Sequence, residues 1–277
     1  MDTLIFIDTN ILLDFYRYPR GSAALSALDH IDKNRNVIIT GNQVEMEFKK
    51  NRQKVIVESI KEMKGPKWET FKIPVILEKS KPAKAIETQK LKIQKQSKAL
   101  QRRIERALKN PSRNDAVYKT VQRLFRANTP LCLSRKDKIR LEIRRLARKR
   151  FILGYPPRKD SDTSIGDAIN WEWVVYCAKK QNANVVIVSR DSDYGQRYGD
   201  ESIINDWLLE EFKGRVNRRK RLVLTEKLME AFKEAAIPVT EEEIEAEDEL
   251  LASIKATSKT ASVDFEAFFK QFEKEPD

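Results

Sequence analysis

Three short apolar runs, each opening directly into a loop or helical pattern, restrict what this chain can fold into more than any other feature. Thr3-Leu4-Ile5-Phe6-Ile7 leads into Asp8-Thr9-Asn10 and then Ile11-Leu12-Leu13-Asp14-Phe15-Tyr16. Asn36-Val37-Ile38-Ile39-Thr40 leads into Gly41-Asn42 and a helix expected from Gln43 into the Glu62 region. Asn184-Val185-Val186-Ile187-Val188-Ser189 ends at Asp191, and a fourth candidate, Arg221-Val223-Leu224 with Leu222 between, precedes Thr225 as an N-cap and a helix toward Ala235. Strands this continuously apolar need cover on both faces, and parallel strands need long crossovers, which helices supply. The pattern predicts an α/β fold in which helices cover a central parallel sheet.

Two segments depart from that alternation. Residues 79–150 carry 24 basic against five acidic residues, more positive charge than the whole chain's +12. Their apolar residues fall at helical spacing, as in Ile86, Ile93, Leu100, Ile104 and Leu108, so the reading is an inserted basic helical arm. Residues 239–277 carry 12 acids against four bases and read as an acidic helical tail, with Phe265, Phe268, Phe269 and Phe272 near its end. The expected organisation is an α/β domain from 1–78 and 151–238, the arm at 79–150 and the tail at 239–277. The tail would fold against the arm or dock a partner.

Composition narrows the chemistry. A single histidine, His30, rules out an HExxH zinc site and a two-histidine acid/base pair, so the chemistry must rest mainly on carboxylates. Cys132 and Cys177 have no metal-ligand spacing and read as reduced thiols. No apolar run approaches the roughly 18 residues of a membrane span, and a cytoplasmic protein with no membrane partner is expected. A net charge of +12 and a pI near 9.5 favour a polyanionic partner, nucleic acid first.

In a parallel α/β sheet, ligands bind beyond the carboxyl ends of the strands. Asp8 follows the first strand directly and Asp191 follows the third by two residues, so both are placed at that edge. Glu47 lies about one turn into the helix after strand two, and Asp167 in the first turn of the helix beginning at Ser164-Ile165-Gly166. Either could equally be a helix-terminal charge. Four acids at one place would strongly oppose one another's ionisation, a conflict that a divalent cation relieves; oxygen ligation suits Mg²⁺ or Mn²⁺.

These residues resemble the PIN-domain nucleases, in particular the large bacterial type with a helical insert. The resemblance is carried by Ile5-Phe6-Ile7-Asp8-Thr9-Asn10, by Asn42 to Arg52, by Gly154-Tyr155-Pro156-Pro157, by Gly166-Asp167-Ala168-Ile169-Asn170-Trp171-Glu172 and by Val186 to Gly195. It implies a three-layer α/β/α fold and RNA hydrolysis by metal-activated water. It implies Asp8, Glu47, Asp167 and Asp191 as the metal-binding catalytic acids, with Asn10 and Ser189 in support. Glu45 and Glu47 lie two apart and face differently on a helix, so only one can point at the metal, and the family pattern favours Glu47. Asp191 is favoured over Asp193, which is kept as an auxiliary metal ligand or turn residue. Asp160 and Asp162 could lie behind the metal ligands or in a solvated loop.

Lys49, Arg52, Arg102, Arg103, Arg144, Arg145 and Arg148 are candidates for nucleic-acid backbone contacts. Expected partners are an RNA or DNA substrate, an inhibitory or regulatory protein, and a second copy in a homodimer. A toxin, defence or stress role is compatible. The competing readings are a structure-specific DNA nuclease, which shares the carboxylate logic, and a catalytically inactive nucleic-acid-binding protein, against which the retention of all four acids speaks. An aspartyl-nucleophile phosphohydrolase would want a second Asp where Asn10 stands.

Overall fold

The apolar runs pair with one another as their continuity demands. The computed structural model describes residues 2–17, 21–62, 73–157, 164–199 and 201–252. From β1 (Thr3–Ile7) the chain enters α1 (Thr9–Arg17) and α2 (Gly21–Lys33), returns through β2 (Ile38–Gly41) and runs out along α3 (Asn42–Glu62). The exposed helix α4 (Lys81–Lys109), the single turn α5 (Pro111–Asn114) and α6 (Ala116–Phe125) lead to β3 (Cys132–Leu133). Then come α7 (Ile139–Ile152), α8 (Gly166–Gln181), β4 (Asn184–Val188), a hairpin of β5 (Gly195–Tyr198) and β6 (Glu201–Ile204), α9 (Asp206–Arg215), β7 (Leu222–Thr225) and α10 (Leu228–Glu234).

Among the described residues five strands form one parallel sheet in the order β3-β2-β1-β4-β7, flanked by helices as in a PIN-like α/β/α fold. The connections leave β1 toward β2 and leave β4 toward β7, so the order reverses between β1 and β4. A crevice therefore opens at their carboxyl ends. Ile5, Ile38, Ile39, Val185 and Ile187 have no exposed surface, because helices cover both faces of the strands. The helix α8 is buried nearly all round: Ile169, Trp171, Trp173, Val174, Val175, Cys177 and Ala178 all join the core.

The arm is shorter than its charge predicts. Only α4 answers to the description, a 29-residue basic helix with Ala83 as its one buried residue. Of the rest of 79–150, α6, β3 and α7 contribute residues to the core. Val121, Leu124 and Phe125 of α6 are buried, with the Phe125 ring 5.9 Å from that of Phe48. Next, β3 adds the sheet's edge strand through the Thr40–Cys132 and Gly41–Leu133 pairings. Ile143 and Ala147 of α7 are buried too. A net charge counts the outward face of such helices and is blind to the inward one. A two-residue strand is too short to leave a period, and the antiparallel β5–β6 hairpin also went unpredicted.

Arg52, expected at the nucleic-acid surface, lies inside. Its Nη2 donates to Asp115 Oδ2 at 2.5 Å and to the Ala107 carbonyl at 2.9 Å, and its guanidinium sits 5.3 Å from the ring centres of Tyr16 and Tyr118. Asp115 also N-caps α6, accepting from the Tyr118 amide at 2.9 Å. One ion pair thus joins α3, the end of α4 and α6.

The tail helix also takes a place that differs from expectation. Residues 241–252 are helical, and Glu247 accepts from the Leu228 and Met229 amides at 2.7 and 2.8 Å, capping α10 from outside it. Thr225, predicted as that cap, is instead the last residue of β7. Glu243 meets His30 at 3.2 Å and Asp248 meets Lys227 at 2.7 Å. These contacts are with α2 and the start of α10 rather than with the arm. The Phe-rich end, and Asp160 and Asp162, lie outside the described residues.

Removing the guanidinium by Arg52→Ala strands the Asp115 charge in the core and should cost about 3–5 kcal/mol, read by denaturant unfolding. Unchanged stability with weakened RNA binding would return Arg52 to the surface role.

Candidate active site

The carboxyl ends of β1 and β4 are joined one residue beyond the strands. The Asp8 amide donates to the Val188 carbonyl at 3.0 Å, and Ser189 Oγ donates to Asp8 Oδ2 at 2.6 Å. Asn10 Nδ2 donates to that same carboxylate oxygen at 3.0 Å and to Ser189 Oγ at 3.2 Å, while the Thr9 amide reaches Asp8 Oδ1 at 2.6 Å. The Ser189 hydroxyl accepts in turn from the Asp191 amide at 3.1 Å. Asn10 and Ser189 therefore hold Asp8 and the Asp191 backbone in one arrangement.

The helix α3 brings Glu47 to the same edge. Thr9 Oγ1 donates to its Oε2 at 3.0 Å and Gln43 Nε2 to its Oε1 at 2.6 Å. Glu45 instead pairs with Lys49, one turn along its own helix, at 2.6 Å. The start of α8 lies against Glu47: a Cβ on Gly166 would stand 2.3 Å from Glu47 Oε1 and 2.9 Å from Gln43 Nε2. Glycine is needed there for close approach, and Asp167 follows it into the site.

Asp8, Glu47, Asp167 and Asp191 all line a cleft of about 600 Å³. Asp193 is buried nearby and its charge acts on Asp167, but it does not line the cleft. Three cations also line the cleft, together with Glu58, which lies 3.8 Å from Lys54. Asp14, almost fully buried, binds Arg17 at 3.0 Å and also Arg190, and both guanidiniums line the cleft together with Lys54. None of these three cations was singled out from the sequence. Gln43, one helical turn before Glu47, could have been, because the two share a face.

Burial sets the protonation of the acids. It pushes Asp8 up to about 7, against the Ser189 hydrogen bond that lowers it, and the Asp191 and Glu47 charges raise it further. Asp167 is pushed up to about 8, by burial first and then by the charges of Asp8, Glu47, Asp193 and Asp191. Tyr194, wholly buried beside them, is raised well above its ordinary range by burial and by the same acids, so its hydroxyl stays protonated.

Among the described residues no group of three or more acidic, histidine or cysteine side chains is arranged to hold a metal ion. Protein donors already occupy the oxygens of Asp8 and Glu47. The donor set nevertheless suits a hard divalent cation. It is all oxygen, burial first and the neighbouring acids second keep Asp8 and Asp167 partly protonated, and Asn10 Oδ1 is buried with no hydrogen-bond partner among the described residues.

The predicted phosphate-binding arginines lie apart from the cleft lining. Arg102 and Arg103 are exposed on α4, Arg145 and Arg148 on α7, and Arg144 is half-buried. Burial and the neighbouring charges of Arg140, Arg148 and Arg135 hold Arg144 below its ordinary value, which marks a local concentration of positive charge on α7. No helix among the described residues is long and apolar enough to cross a membrane.

A family model described as PIN domain matches residues 5–194, from β1 through Tyr194. No curated protein and no solved structure matches the chain.

Because Asp8 and Asp167 titrate well above the ordinary 3.8, the cation-free folded chain binds more protons than the unfolded one from about pH 4 to pH 8. Their contribution is therefore most favourable at low pH and is lost as pH rises through 7 and 8. With each pKa unit worth about 1.4 kcal/mol, Asp167→Asn in EDTA should melt at least about 3 °C above wild type at pH 8. The gap should close toward pH 4. A thermal-shift series showing no gain at pH 8 would remove the buried-charge account.

Proposed function

The chain belongs to the PIN-domain family, whose members are generally nucleases, and from that premise we propose that it is a metal-dependent endoribonuclease acting on single-stranded or structured RNA. The observation that carries the reading is the cleft itself, where four acids from β1, α3, α8 and the end of β4 meet beside Arg17, Lys54 and Arg190. Mg²⁺ or Mn²⁺ held by Asp8, Glu47, Asp167 and Asp191 would polarise the phosphodiester and lower the pKa of the attacking water.

The chain's own groups do the rest. Ser189, Asn10 and Thr9 orient the carboxylates, and Gln43 holds Glu47 against the start of α8. Arg190 and Arg17, anchored by buried Asp14, offer guanidiniums to the phosphates flanking the scissile bond. The exposed arginines of α4 and α7 extend that neutralisation along the strand without reading bases. The reaction is in-line attack of water on phosphorus, leaving a 5′-phosphate and a 3′-hydroxyl. The insert-bearing resemblance favours RNA, and matched RNA and DNA oligonucleotides separate it from a structure-specific DNA nuclease.

Mn²⁺-dependent cleavage of single-stranded RNA should fall more than about 100-fold in Asp8→Asn, since even supporting residues of metal sites cost about 10–100-fold. Equal activity in wild type and variant would falsify the proposal. Gly166→Ala should leave stability nearly unchanged, because the clash is with the end of a flexible side chain, yet cut cleavage by roughly 10-fold by displacing Glu47. Wild-type cleavage in Gly166→Ala would show that Glu47 tolerates displacement.

A further inference from the structure

The helix α4 carries an apolar stripe that faces solvent through the middle of its length. Ile86, Ile93, Leu100, Ile104 and Ala107 recur at helical spacing and fall on one side. Ile86, Ile104 and Ala107 are partly covered. Between them every residue from Leu91 to Arg103 is exposed, Ile93 at 44% and Leu100 at 49%. Those two side chains are about 10 Å apart along the helix axis, with the small Ser97 between them on the same side.

The surroundings of this window are strongly basic. Residues 90–103 carry six bases, Lys90, Lys92, Lys95, Lys98, Arg102 and Arg103, and no acid. A second α4 laid on the window would set these charges against their own kind, which opposes such pairing. A nucleic acid would answer the bases but would leave Ile93 and Leu100 without an apolar partner. The surface suits an acidic helix with large apolar side chains along one side.

This chain carries such a segment. Residues 264–277, which lie outside the described residues, hold five acids and two bases, and Phe265, Phe268, Phe269 and Phe272 stand at i, i+3, i+4 and i+7. On a helix that spacing puts four rings on one side over the same rise as Ile93 to Leu100. The acidic helix just before it, 241–252, already docks on cations of the domain, Glu243 on His30 and Asp248 on Lys227.

The segment is also within reach. The described chain stops at Ala252, beside Thr225 and Glu226 at the carboxyl end of β7. Three strand spacings, about 15 Å, separate β7 from β2, whose following helix α3 holds the end of α4 through Arg52 and the Ala107 carbonyl. Leu100 lies about 10 Å back along α4 from Ala107. The residues from Ser253 to Val263 extend to about 35–40 Å, more than the two together.

We propose that residues 264–277 dock as a helix on α4, with the four phenylalanines packed over Ile93, Ser97 and Leu100 and the flanking acids facing Lys95, Lys98, Arg102 and Arg103. The docked segment covers bases that a polyanion would otherwise reach, so phosphates and the segment compete for α4. The inference does not depend on the chain being catalytically active.

Hydrogen exchange of the full-length protein, read by mass spectrometry over peptides from 91–103 and 264–277, tests the contact. In wild type the amides of 264–277 should exchange at least about 10-fold more slowly than in an unstructured chain. Leu100→Asp should abolish that slowing, and Phe268→Asp should in turn speed exchange across 91–103. If Leu100→Asp disrupts α4, Lys95→Glu together with Lys98→Glu, both at exposed side chains, should release the segment by repulsion. Ile152→Asp, at an apolar side chain 80% exposed on α7, should change neither peptide. Light scattering should report a monomer, and slow exchange that depends on a dimer would place another copy's segment on α4 and overturn the proposal. It is also overturned if 264–277 exchanges freely in wild type or if its slow exchange survives both Leu100→Asp and the double lysine variant. A window that gains protection only when single-stranded RNA is added, with the segment free throughout, would make α4 a nucleic-acid surface and overturn it as well.

Discussion

The arrangement of the site depends on the pairing of β1 with β4. Their register runs without a break from Thr3–Asn184 to Ile7–Val188, so both strands end at the same level and Asp8 meets Ser189 across 181 positions of sequence. A slip of one residue would turn the side chains of either strand to the opposite face, which near-total burial on both sides forbids. The packing of the strands thereby fixes the position of a charged group. Asp8 has no freedom to retreat into solvent, and the four donors around Asp8 and Ser189 exist to hold it.

That fixation has an electrostatic consequence. Carboxylates gathered at a covered sheet edge cannot all ionise cheaply, and Asp8 and Asp167 respond by keeping protons at pH values where surface acids have lost them. The chain offsets the remaining charge at a distance, through the guanidiniums of Arg17 and Arg190 on the buried Asp14. Hydrogen-bond donors from Thr9, Asn10, Gln43 and Ser189 supply the close contacts.

The basic segment shows how far charge and packing can diverge. Within 79–150, α4 is a projecting helix, whereas α6, β3 and α7 close one side of the domain and bury apolar residues against α3 and α8. The Arg52–Asp115 pair fastens this segment to α3, and Arg150 does the same for α7 by bonding Glu172 of α8 at 2.9 Å. The span of the family match, residues 5–194, includes these elements. At the other end of the chain, Glu247 caps α10 and so makes an acidic tail helix part of the domain's own hydrogen bonding.

The apolar runs determined four of the sheet's five strands by themselves, because strands buried on both faces have few other ways to exclude water. From that alone Asp8 and Asp191 were placed at the strand ends, and the lone histidine removed the competing chemistries. The choice of Glu47 over Glu45 was favoured by pattern, but it became physical only through Thr9, Gln43 and the Gly166 contact, groups drawn from α1, α3 and α8. The fates of Arg52, of the two-residue β3 and of the Glu247 cap were decided by tertiary structure alone. Each depends on a partner distant in sequence, and no local period or propensity encodes which surface a side chain will meet once the chain has closed around it.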